Sequence, residues 1–226
     1  KAKKNGFSFS KFSKNFDKKS KVILLRHDID LSLEKALKMA EIESQLNLIS
    51  TYFLRVNSTF YNIFETRNNE IIKRILSLGH EIGLHFDPLL YKNLNLKINE
   101  GIKNDIKILE FYFNAKIKII SQHRPFLLGT KTNKFIEKIS VYSPFFFKKY
   151  KYISDSCQNW REFNLEEAIE KFNKIHVLIH PEWWGNTNVT WKAHLDDISN
   201  ILIKNKSDKI TELKKRYTEY LIKIKT

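Results

Sequence analysis

At 226 residues, with 42% hydrophobic and 13% aromatic content, the chain is long enough for one substantial core and is not the composition of a disordered protein. Its single cysteine, Cys157, excludes an intrachain disulfide framework and a cysteine-based zinc site, which suits a reducing, cytoplasmic setting. The net charge of +15 raises the question of nucleic acid, but only seven of the 40 basic residues are Arg and the Lys residues are scattered, so no nucleic-acid partner is expected.

No stretch of sequence approaches 18 consecutive apolar residues, so no transmembrane segment is expected. The first 20 residues are basic and polar, without an apolar signal core. They read as an N-terminal extension of a single domain spanning 1–226, with a helical segment over 186–226 at its other end.

Taken in order, residues 21–26 form an apolar run that predicts a buried strand. Residues 33–46 have helical periodicity, with Leu33, Ala36, Leu37 and Ala40 on one face and Asp30 or Ser32 as the cap. Strands follow at 50–56, 81–85 and 117–121. Helices lie between them at 69–78, stopped by Gly79, and at 99–113. Beyond residue 140 the pattern is less regular, with strands expected at 141–147, 152–155 and 175–180 and a helix at 165–172. A last helix is expected over 196–225, broken near Ser207. Repeated strand–helix order predicts an α/β fold with parallel strands, in which reactive residues gather at the strands' C-terminal ends.

The polar residues fit that rule. His27-Asp28-Ile29-Asp30, His85-Phe86-Asp87, His123-Arg124, Asp155 and His180 each end a predicted strand. Two carboxylates beside histidines suit a divalent metal and a base, because zinc takes His and carboxylate ligands and leaves a position for water. A second carboxylate then serves as proton acceptor, and an imidazole elsewhere as donor to the leaving group.

Five segments in this order resemble the motifs of the polysaccharide deacetylases, carbohydrate esterase family 4 (CE4). Arg26-His27-Asp28-Ile29-Asp30 resembles the first, Gly79-His80-Glu81-Ile82-Gly83-Leu84-His85 the second, and His123-Arg124-Pro125 the third. Residues 155–160 resemble the fourth, and Leu178-Ile179-His180-Pro181 the fifth. The resemblance implies a distorted or incomplete (β/α) barrel and a metal-dependent enzyme, with zinc as cofactor and a carbohydrate as substrate. It implies Asp28 as base, Asp30 and His85 as metal ligands, Arg124 holding the base, His180 as general acid and Asp155 supporting it. The extension Glu182-Trp183-Trp184 resembles a subgroup from bacterial surface-glycan clusters, which points to removal of an N-acetyl group in surface polysaccharide biosynthesis.

One position departs from the family. The second metal His is expected four residues after His85, where this chain has Leu89. His123 is the first candidate for the missing ligand and Asp87 the second. The alternative is a glycan-binding descendant that has lost its metal. Trp160, Trp183 and Trp184 are candidates for a sugar-stacking cleft. Plainer roles stand beside these: Asp28 or Asp30 as a helix cap, His80 and His176 as structural histidines, Arg124 as an ordinary ion-pair partner.

Overall fold

The computed structural model describes residues 1–13, 20–125, 139–185 and 190–223. The chain divides into two compact units, Lys1–Trp184 and Gly185–Thr226. No helix among the described residues is long and apolar enough to cross a membrane.

The first unit is built on one sheet whose pairings are all parallel. Its strands are β1 (Ser8–Ser10), β2 (Val22–Asp28), β3 (Thr51–Leu54), β4 (Glu81–Phe86), β5 (Ile119–Gln122), β6 (Ile139–Ser140), β7 (Lys151–Ser154) and β8 (Lys174–Ile179). The order across the sheet is β6-β5-β4-β3-β2-β8-β7, with β1 paired to the first half of β2. Among the described residues the two end strands, β6 and β7, are not paired with each other; the sheet is a parallel half-barrel, the incomplete (β/α) barrel that the family resemblance implied.

The helices of this unit are α1 (Leu33–Gln45), α2 (Thr66–Ser77), α3 (Pro88–Asn93), α4 (Ile98–Phe113), α5 (Pro144–Lys149) and α6 (Leu165–Lys171). Along β2, period-two alternation sends Ile23 and Leu25 into an outer cluster with Ile169 and Val177. Val22 and Leu24 go the other way, into an inner cluster with Phe53, Val141 and Phe146. Gly83 on β4 is required by this inner packing. A Cβ there would lie 2.5 Å from Cε1 of Phe53, so only glycine leaves the ring its place.

Three expectations are corrected. Residues 1–13 are not merely an extension, because Phe7 and Phe12 are buried and β1 joins the sheet; residues 14–19 lie outside the described part. The run expected as a strand at 141–147 is instead α5, started by Pro144, which lacks the N–H a ladder needs and fits the first turn of a helix. In the second unit, α7 (Trp191–Lys223) runs unbroken past Ser207, whose carbonyl accepts a 3.0 Å bond from Thr211 Oγ1.

Candidate metal and catalytic site

The site begins where β2 ends. Ser32, not Asp30, caps α1: its Oγ accepts from the Lys35 N–H at 3.2 Å. Both carboxylates of Asp28-Ile29-Asp30 are thereby released from capping duty. Oδ1 of Asp28 and Oδ1 of Asp30 are buried and accept no hydrogen bond. Buried polar atoms are nearly always paired, so two orphaned carboxylate oxygens two residues apart call for a partner the protein does not supply.

Two histidines converge on Asp30. His85 ends β4, with Nε2 3.3 Å from Asp30 Oδ1, and its Nδ1 donates to the Ser121 carbonyl at 3.2 Å. His123 follows β5, where its N–H continues the ladder to the Phe86 carbonyl at 2.8 Å and so sets the residue beside the end of β4. Its Nε2 lies 3.5 Å from Asp30 Oδ1, and its Nδ1 donates to Asp87 Oδ2 at 3.1 Å. Both imidazoles thus spend the Nδ1 proton on an acceptor and turn the Nε2 lone pair inward. That is the arrangement of histidines ligating a metal with a carbonyl or carboxylate behind them. Ligand atoms of Asp30, His85 and His123 all lie within 4.8 Å of one another.

The electrostatics agree with this geometry. Burial opposes ionisation of Asp30, but the imidazole of His85 close against it, with His123 and His180 beyond, holds its carboxyl well below the usual range. Burial also lowers the pKa of His123, favouring the neutral imidazole that a metal requires. Asp87, the second candidate ligand, instead serves behind His123. It is bound there by Arg124 at 2.7 Å and Arg55 at 3.4 Å, and it caps α3 through the Leu89 N–H at 3.1 Å. Leu89 lies in the first turn of α3.

Arg124 is therefore not the group beside Asp28. Its backbone is left-handed, with φ +49°, and its guanidinium is drawn to Asp87. The cation near Asp28 is Arg26, fully buried, with Nη2 3.7 Å from Asp28 Oδ2 and 2.9 Å from the Tyr142 hydroxyl. Ser121 Oγ donates to the same Asp28 oxygen at 3.1 Å. Sequence reasoning assigned no role to Arg26. The signal was present: it is the charged residue in an apolar strand, two positions before Asp28 and so on the same face.

His180 and Asp155 meet as expected. The His180 Nδ1–H donates to Asp155 Oδ1 at 2.7 Å, and the His180 backbone N–H donates to the same carboxylate at 3.0 Å. Burial disfavours the charged imidazole, yet the bond and charge of Asp155, reinforced by Glu182 and Asp28, raise its pKa to about 9. Trp184 holds this pair in place, its Nε1–H donating to Asp155 Oδ2 at 2.8 Å. Trp160 packs, partly buried, against the outer cluster of Ile169 and Val177. Trp183 alone of the three lines the cavity, about 580 Å³, that holds Asp28, Asp30, His85 and His180. A second cavity of about 640 Å³ shares Asp30 and His123 with it and has Arg55 and Leu89 in its wall.

No family model matches the sequence, and no curated protein resembles it significantly. Solved structures do. The CE4 family pseudoenzyme from Bacillus anthracis superposes with a TM-score of 0.51 at 16% identity, over 84% of this chain and 63% of its own. The chain thus spans less than two thirds of that protein. The peptidoglycan deacetylase PdaC from Bacillus subtilis superposes with a TM-score of 0.51 at 15% identity, over 89% of this chain and 99% of its own. The half-barrel with its converging strand ends is the fold of the CE4 polysaccharide deacetylases.

Proposed function

We propose that the protein is a metal-dependent hydrolase, with zinc as its metal, that removes an N-acetyl group from an amino sugar of a glycan or sugar precursor in surface polysaccharide biosynthesis. The observation that carries this reading is the convergence of Asp30, His85 and His123 within 4.8 Å, with both Nδ1 atoms already committed and both Nε2 atoms turned to one carboxylate oxygen. A zinc ion held by these three residues would supply Lewis-acid activation of a water and of the acetamide carbonyl.

The chain's own groups account for the proton movements. Asp28 keeps one oxygen for Ser121 and Arg26, and the other, Oδ1, is free to take a proton from the attacking water. His180, kept protonated by Asp155, holds the proton that the departing amine needs. Tyr152, Phe147 and Trp183 line the same cavity, and aromatic rings suit the apolar face of a sugar ring.

Metal analysis of the purified chain tests the reading, with one zinc per chain expected and lost in Asp30→Asn or His85→Ala. Acetate release from acetylated amino sugars is expected with it. A chain that binds no metal under zinc supplementation overturns the proposal. Leu89, at the position where a ligating His is expected, favours the second reading, a glycan-binding descendant without metal. That protein would bind an acetylated oligosaccharide, take up no zinc and release no acetate.

A further inference from the structure

Glu182 takes no part in the mechanism just described, yet its placement is unusual. It lies two residues past His180, in the 3-10 turn Pro181–Trp183, which the Trp183 N–H closes onto the His180 carbonyl at 3.1 Å. The residue is 1% exposed, and its Oε2 accepts no hydrogen bond. It lines both cavities, together with Asp30, His123 and Trp183. The charges that act on it are those of Asp30, His180 and Asp155, so it belongs to the same electrostatic unit as the candidate acid and metal ligands. A buried carboxyl oxygen without a donor is costly unless a ligand provides one.

We propose that Glu182 makes the site prefer an amide over an ester, by accepting the hydrogen bond of the substrate's acetamide N–H beside His180. The inference rests on the hydrolase reading above and names which acyl bond that site selects. In amide hydrolysis the water oxygen bonds to the acyl carbon and gives a proton to Asp28. The C–N bond then breaks, its electron pair stays on nitrogen, and that nitrogen takes the proton of His180, leaving a free amine and acetic acid, which ionises to acetate in water. The nitrogen must aim its lone pair at His180, and an acceptor on its N–H fixes that orientation. Either protonation state of Glu182 offers an acceptor lone pair. An ester oxygen carries no hydrogen, so it would set lone pair against lone pair at the same position, and a site built to pair an N–H rejects the analogue that lacks it.

The test compares kcat/KM for acetate release from an N-acetylglucosamine tetramer with that for 4-nitrophenyl acetate, using the full zinc-loaded chain. In Glu182→Gln, whose side-chain N–H₂ can turn to an ester oxygen, the amide-to-ester ratio is expected to fall at least about tenfold. Glu182→Met, similar in length and without an acceptor oxygen, should lose the amide reaction and keep the ester one. Zinc content should match wild type in both. Amide and ester rates that fall together, or zinc lost from either variant, would overturn the assignment and leave Glu182 a structural group or a ligand. A wild-type chain that cleaves neither substrate sinks the hydrolase reading and this inference with it. An active wild type whose ratio does not move in either variant sinks this inference alone.

Discussion

Two carboxylates in this protein each sit between a pair of histidines, and they differ in what is left over. Glu43, a buried residue of α1, accepts from His27 Nε2 at 2.7 Å, Ser50 Oγ at 2.7 Å and the Tyr52 hydroxyl at 2.8 Å. His80, beside it, spends its ring nitrogens on the Ala40 carbonyl and on Ser50. Every group in that cluster has a partner. Asp30 has two imidazole nitrogens at 3.3 and 3.5 Å and an oxygen that accepts no hydrogen bond, at the wall of a cavity. Residue types alone would rank the two clusters equally as metal sites. Polar capacity that the protein leaves unused separates a strut from a binding site.

The largest expected effect breaks the comparison at its chemistry. Asp28→Asn should lower acetate release by on the order of 10²–10⁴ while zinc content stays at wild type, because it removes the proposed base and leaves the proposed ligands. A variant of the Glu43 cluster, Glu43→Leu, should leave the rate per folded molecule and the zinc content unchanged. Acetate assays and metal analysis on the two proteins side by side decide this; a Glu43→Leu protein that loses zinc would mean that the Glu43 cluster also shapes the site.

The same Glu43→Leu variant should pay in stability. It strips the acceptor from His27, Ser50 and Tyr52 at once, and a broken buried network of this kind costs about 3 kcal/mol in urea unfolding. The pH dependence has a definite sign. Burial opposes the Glu43 charge, but His27, Ser50 and Tyr52 lower its pKa below the ordinary 4.5. Its stabilisation is therefore present above about pH 4.5 and lost as pH falls through the folded value. The gap between wild type and variant should close in acid.

Asp87→Asn probes the support of the proposed metal site. Asn can still cap α3, so the helix should survive, but the carboxylate behind His123 is lost. Zinc affinity should weaken by about 10–100-fold, the usual cost of removing a group that orients a ligand, with little change in the unfolding midpoint. A zinc titration by competition with a chelator measures it.

How much of this was legible in the chain follows from which interactions are local. The strand of residues 21–26, the helix after it and the ends at His85 and His180 were readable because apolar periodicity and chain punctuation encode them. Asp30, His85 and His123 could be named because each sits at a strand end, and parallel strands bring such ends together. The partner of Arg124 could not be read, since a turn with φ +49° redirects its side chain to Asp87, 37 residues earlier. Nor could the split among the three Trp residues, because packing on Ile169 or bonding to Asp155 depends on neighbours remote in sequence. The 141–147 run misled because its aromatic content suits a strand, while Pro144 decides for a helix.

The smallest effect sharpens the comparison through pH. Asp155 and its neighbours raise the His180 pKa from 6.5 to about 9 against the cost of burial. If His180 acts as the acid, the protonated form is the active one, and acetate release should fall as pH rises through about 9. In Asp155→Asn the negative charge is gone, the imidazole returns toward its ordinary value, and the alkaline limb should move down by about 1–2 units, a loss of roughly tenfold near pH 8.5. The stability term has the same direction. A raised histidine pKa stabilises fully below about 6.5 and loses that contribution as pH climbs through about 9. Removing the Asp155 charge should thus cost more stability in neutral solution than at strongly alkaline pH, the reverse of Glu43, whose contribution shrinks in acid. A pH–rate profile and unfolding midpoints across the same range test both halves. An alkaline limb that stays in place in Asp155→Asn would mean that the proton lost there belongs to a group other than His180.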